Sequence, residues 1–171
     1  MQAIYTVNLT TAGSFFYFNN IPQTYTDLKV LFSFKDNSTN TGSYLTSSYN
    51  NDNGTNYSYT MLYQSIVDYG TSVIAGRGSN ETYHAWARFA TSATTFGGAY
   101  TTLEIDYPNY TSNTFKQIHA GISAPSNSST TYSSAQYAQL WRNSSPIKSI
   151  AFSSPNVFAN GATATLYGIA R

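Results

Sequence analysis

Hydrophobic and polar residues alternate along most of this chain with a period of two, the spacing of half-buried strands. The clearest run is Leu28 to Lys35. Leu28, Val30, Phe32 and Phe34 fall on one side, and Lys29, Leu31, Ser33 and Lys35 on the other. Ahead of it, Pro22 fixes its own φ and biases Ile21 toward extended geometry. Asp27 can accept local backbone hydrogen bonds as the strand begins. The pattern predicts a central core strand with its Leu-Val-Phe-Phe side inward.

Other segments repeat the signal more weakly. Residues 4–9 and 15–18 predict short strands on either side of a turn at Gly13, and residues 44–49 a further one. Tyr57, Tyr59, Met61 and Tyr63 share one face of the next strand. Leu103, Ile105 and Tyr107 alternate with Thr102, Glu104 and Asp106, and Pro108 ends that strand. Ile118, Ala120 and Ile122 mark another, and Ile147, Ile150 and Phe152 lie in a later element. Leu166 to Ile169 closes the fold. Residues 135–142 suit either a strand or one helical turn. Residues 36–42, 91–98 and 124–134 are expected to be loops, as is the Gly/Ser-rich stretch 70–80, with at most a short strand around Val73-Ile74-Ala75. Asn50 to Gly54 is the strongest turn signal, because Asn and Gly tolerate positive φ.

About ten short strands with frequent turns are the signature of sandwiches and jelly rolls. The expected fold is all-β: a single jelly-roll-like antiparallel β-sandwich over residues 1–171, with 1–14 as an attachment or swapped N-terminal segment. Composition agrees. Tyr occurs 16 times and Phe 10 times, and charged residues make up only 9% of the 171 residues. Tyr, Phe, Thr, Val and Ile suit pleated, half-buried surfaces. The formal net charge is +1, so no field draws nucleic acid or anionic lipid. Cys is absent, which excludes disulfides and thiolate metal sites. No apolar run is long enough to span a membrane as a helix, and no signal peptide is visible after Met1.

Candidate chemistry is sparse. Glu104 and Asp106 are the one close carboxylate pair, and on a strand they share a face at a backbone separation of roughly 6.5–7 Å. That separation is compatible with a glycosidase acid and base. The stronger alternative is a solvated outer face opposite Leu103 and Ile105. His84 and His119 are the only histidines, and neither has metal-site spacing. Asn50 to Gly54 offers oxygen ligands without a full calcium loop. No nucleophile elbow, phosphate loop or dinucleotide fingerprint is present. Asn-x-Ser/Thr triplets such as Asn53-Gly54-Thr55 follow from composition. No catalytic residue, metal or cofactor is therefore expected. Tyr-rich, Asn-rich loops suit contacts with partners or sugars. Trp86 is a candidate interface anchor. If Ala85, Ala87 and Phe89 face the core, alternation puts Trp86 outward beside His84 and Arg88. The alternative is a Trp lying flat on its own neighbouring strands.

Several segments together resemble a virion surface domain of tailed bacteriophages. They are Ile21-Pro22-Gln23-Thr24-Tyr25-Thr26-Asp27-Leu28, Asn53-Gly54-Thr55-Asn56-Tyr57-Ser58, Ile105-Asp106-Tyr107, Leu140-Trp141, Ile147-Lys148-Ser149-Ile150 and Leu166-Tyr167-Gly168-Ile169. The resemblance implies a jelly-roll-like homotrimer used as a capsid decoration (cement) protein or as a tail-fibre head. It implies no catalytic residues. A fibre head is expected to follow a shaft, and the resemblance here starts close to Met1. That favours a decoration protein on the outside of the head, partnered by itself and by the major capsid protein, with neither nucleic acid nor membrane. The alternative is a tail-fibre or spike domain that recognises a host surface glycan.

Overall fold

The computed structural model describes residues 1–39, 43–67, 70–89, 98–124 and 131–170, and within them all side chains except those of 65–67, 70–72, 87–89 and 131–133. The strands are β1 (Gln2–Asn8), β2 (Gly13–Phe18), β3 (Asp27–Phe34), β4 (Ser43–Tyr49), β5 (Tyr57–Val67) and β6 (Gly70–Glu81) in the first half. They continue as β7 (His84–Phe89), β8 (Thr101–Tyr107), β9 (Lys116–Ala124), β10 (Thr131–Trp141), β11 (Ile150–Phe158) and β12 (Thr163–Ile169). The described residues thus form twelve strands, against about ten expected. All strand pairs are antiparallel.

The two halves of the chain pair as a folded ribbon. β1 pairs with β12, β2 with β11, β3 with β8 and β4 with β7. Rolling that ribbon gives the two sheet orders β1-β12-β3-β8 and β2-β11-β4-β7, which is a jelly roll. Two further pairs are inserted in it. β9 and β10 continue the first sheet from β8, and the β5–β6 hairpin pairs with β10, so that sheet has eight strands against four in the other. The first fourteen residues are built into the sandwich as β1 and the start of β2.

β3 behaves as its pattern predicts: Leu28, Val30, Phe32 and Phe34 are buried and the intervening residues are not. It lies between β12 and β8 inside the large sheet. Its rings anchor an apolar half of the core. Phe32 meets Phe34 at 4.3 Å, Phe16 at 4.6 Å and Phe152 at 5.5 Å between centroids. The other half of the core is built from Tyr49, Tyr57, Tyr107, His84, Trp86 and Trp141, all fully buried.

Two expectations need correction. Residues 70–80 are not a loop but most of β6, paired with β5 along its length. The glycines fit under their neighbours. A Cβ on Gly76 would sit 2.5 Å from the Met61 methyl, and one on Gly78 would sit 2.4 Å from the Tyr59 ring. Large β5 side chains thus cover glycines on β6, and low intrinsic strand propensity is overridden by cross-strand packing. The stretch at 124–134 is also shorter than expected, since β9 reaches Ala124 and β10 starts at Thr131. Of residues 91–98, only Gly98 lies within the described residues. Residues 135–141 are strand, not helix, with Ala135, Tyr137, Gln139 and Trp141 inward.

Candidate functional site

Trp86 and His84 do not face solvent. Both are completely buried on the inner face of β7, and Ala85 lies on the outer one, the reverse of the face predicted. The cause is packing. Trp86 lies opposite Leu45 and His84 opposite Ser47 on β4, and the Trp86 ring meets Tyr137 at 5.3 Å. Burying an indole removes far more apolar area from water than burying Ala85, provided its N–H finds an acceptor. Ser47 supplies that acceptor: Trp86 Nε1 donates to its Oγ at 3.1 Å. Neither residue is therefore available as a surface anchor. Arg88 belongs to β7, but its side chain lies outside the described residues.

The buried polar groups form a chain. Leu140 O can only accept, so His84 Nε2 carries the proton and donates to it at 3.3 Å. Nδ1 then accepts from the Tyr49 hydroxyl at 3.0 Å, and the Ser47 hydroxyl meets that of Tyr49 at 3.3 Å. Burial outweighs these bonds and lowers the His84 pKa to about 3. Burial likewise raises Tyr49 far above its ordinary value and Tyr57 to about 12. The Tyr107 hydroxyl is buried nearby, with no hydrogen-bond partner among the described residues. These groups are withdrawn from solvent, and their bonds tie β4, β7 and β10 together.

The turn at 50–54 is braced rather than open. Asn50 and Asn51 have φ of 53° and 56°, and Asp52 N donates to Tyr49 O at 2.9 Å, the arrangement of a tight turn with two left-handed central residues. The Asp52 carboxylate, a candidate calcium ligand, is already occupied. It accepts from Trp141 Nε1 at 2.7 Å, Asn56 Nδ2 at 2.9 Å and Gly54 N at 2.9 Å. Burial alone would raise its pKa, and these bonds hold it below the ordinary value. No group of three or more metal-ligating side chains occurs among the described residues.

What remains accessible are the outer faces of the two sheets. On the large sheet, one ladder row carries Lys29, Asp106, His119, Ala138, Thr60 and Arg77 across β3, β8, β9, β10, β5 and β6. Glu104 and Asp106 do share a face, and Lys29 bridges them, 3.1 Å from Asp106 and hydrogen-bonded to Glu104. Burial works to lower the Lys29 pKa, but the two carboxylates outweigh it and raise it. The pair lies on a half-exposed outer face, opposite the buried Leu103 and Ile105. Beyond His119 the face sinks into a shallow depression of about 670 Å³ over Ala138, Gly76 and Leu62.

The outer face of the small sheet is different in kind. Phe15 and Tyr17 on β2 stack at 5.4 Å and are each about half exposed. Across the sheet Tyr83 projects ahead of β7, with a cleft of about 420 Å³ between. Every side chain that lines this cleft is uncharged.

No family model, curated protein or solved structure matches the chain. The candidate surfaces therefore rest on geometry and chemistry alone.

Proposed function

We propose that this chain is a non-catalytic structural protein of a bacteriophage particle, assembling as a homotrimer and decorating the outside of the capsid. Its virion setting rests on the sequence resemblance, and a jelly roll agrees with it. The observation that carries the assembly part is β6. It is a 12-residue strand at the rim of the large sheet, with no strand beyond it among the described residues. Long edges present unpaired N–H and C=O groups to any other chain, and proteins blunt them with charge, proline or bulges. β6 carries only Arg77 and Glu81 as charges, and beside its edge Val73 and Leu62 are 72% and 58% exposed. Contiguous apolar side chains beside an open edge suit an interface between copies. Three copies joined head to tail through the rims of the large sheet close a ring and leave no β6 edge free. Linked attachment of three subunits then makes weak single contacts to a shell sufficient.

Light scattering of the free protein and antibody labelling of intact particles test this proposal. A trimer at micromolar concentration that Val73→Lys converts to monomer, with label over the head, is the expected result. A wild-type monomer removes the assembly part, and label confined to the tail tip moves the role to receptor binding.

A further inference from the structure

We infer that the cleft on the outer face of the small sheet is a binding site for a neutral carbohydrate. Its construction has three parts. One wall is the stacked pair Phe15 and Tyr17, and the opposite wall is Tyr83. One wall stands on β2 and the other in the turn just before β7, the first and last strands of the order β2-β11-β4-β7, so about three strand spacings, roughly 14 Å, lie between them. The floor between is short and hydroxyl-bearing: Ala151 lies between Tyr17 and Ser48, and Ser153 between Phe15 and Thr46. One end is closed by Asn51 and Asn53 from the turn after β4.

Each part answers one property of a sugar ring. The C–H faces of a pyranose are apolar and rest on exposed aromatic rings, which keep half or nearly half of their surface in water here: 51% for Phe15, 50% for Tyr17 and 40% for Tyr83. The ring's hydroxyls need paired donors and acceptors at its rim. Primary amides supply both, and the Asn51 and Asn53 side chains are exposed and make no side-chain hydrogen bond among the described residues. The turn backbone that carries those amides is held in place by its neighbours. Asn50 Nδ2 donates to Pro146 O at 2.8 Å, its Oδ1 accepts from Lys148 N at 2.7 Å, and the Asp52 carboxylate ties the turn to Trp141. A braced turn backbone leaves only the two amide side chains to order on binding. The charge pattern selects among sugars. With no cation in the lining, a sialylated or sulfated glycan gains no ion pair, and a neutral hexose or N-acetylhexosamine loses nothing. The volume of about 420 Å³ falls in the range of small-ligand sites.

The inference stands apart from the particle assignment, because it concerns a different sheet from the β6 edge. Its test is a titration of the full chain, followed by ¹H–¹⁵N spectra, with glucose, galactose, N-acetylglucosamine and sialic acid as probes. Saturable shifts confined to the cleft with one of the three neutral sugars, at least tenfold weaker in Tyr83→Ala and in Phe15→Ala, are expected. Both residues are exposed, so the variants should keep the wild-type spectrum elsewhere, and Glu104→Gln on the far sheet should bind normally. Shifts only with sialic acid, shifts indifferent to both variants, or no shift to 50-fold excess over the millimolar range would overturn it. So would an exchange of roles in which Phe15→Ala abolishes self-association, because a second copy then covers this face.

Discussion

The two halves of the core reach the same burial by opposite means. Around Phe32 the contacts are ring on ring with no polar atom to satisfy, and any register that buries the phenyl groups serves. Around His84 the rings of Tyr49, Tyr57, Trp86 and Trp141 carry donors or acceptors that have found partners, while the Tyr107 hydroxyl and the Gln139 amide have none among the described residues. Apolar packing tolerates adjustment, whereas a buried polar group left without its partner costs its full desolvation. The Phe half therefore supplies bulk stability. The His half fixes which residues meet, joining β4, β7 and β10 and the turn before β5.

The comparison breaks first at Phe32. Phe32→Ala removes a buried ring that touches four others, and should cost about 3–5 kcal/mol in urea unfolding, equally at pH 7 and at pH 4.5. A cost below about 1 kcal/mol would mean that this half repacks freely.

The His half should be the acid-sensitive one. The folded chain keeps His84 neutral down to about pH 3, while the unfolded chain takes up a proton near 6.5. Its contribution is complete above pH 6.5 and drains away as pH falls toward 3. At pH 4.5 the loss is about 2–3 kcal/mol, at 1.36 kcal/mol for each pH unit below 6.5. His84→Gln should flatten the pH dependence by that amount. An equal slope in the two proteins would show that His84 is protonated in the fold.

Tyr49→Phe sharpens the contrast at smaller scale. It strips the hydroxyl that bonds His84 Nδ1 while keeping the ring, and should cost about 1–3 kcal/mol. A change of similar volume in the Phe half, such as Phe152→Leu, should leave the pH dependence alone. The smallest effect is expected on the outer face. Lys29→Gln breaks the bridge to Glu104 and Asp106, yet thermal unfolding should register less than about 1 kcal/mol, because the pair is solvated and screened.

How much of this could be read from the chain follows the same division. β3, β8 and β9 carry apolar residues on one side and polar ones on the other, and the sequence pattern assigns their faces correctly. β7 fails because Ala85 and Ala87 make its wrong side look apolar while His84 makes its right side look polar. Only the partners on β4 and β10 decide, and they are remote in sequence. β6 fails because glycine weakens any strand signal, and its glycines are there to accommodate Met61 and Tyr59 on another strand. The carboxylate pair is visible in sequence, but its bridging lysine on β3 is 75 residues away. The cleft on the small sheet is assembled from β2, β4, β11 and two turns, so no local window contains it.

The pairing of β1 with β12 has a mechanical consequence. Gln2 lies opposite Gly168 and Asn8 opposite Thr163, so the two ends of the described chain leave the sheet at one corner. Tension between those ends acts across the ladder rather than along it. The hydrogen bonds then meet the load one after another, as the teeth of a zipper do, not all at once in shear. β1 should peel at low force while the ribbon of β3, β8 and β9 stays shut. Pulled by its ends the molecule is compliant at its rim, and pulled across the body of the large sheet it is stiff.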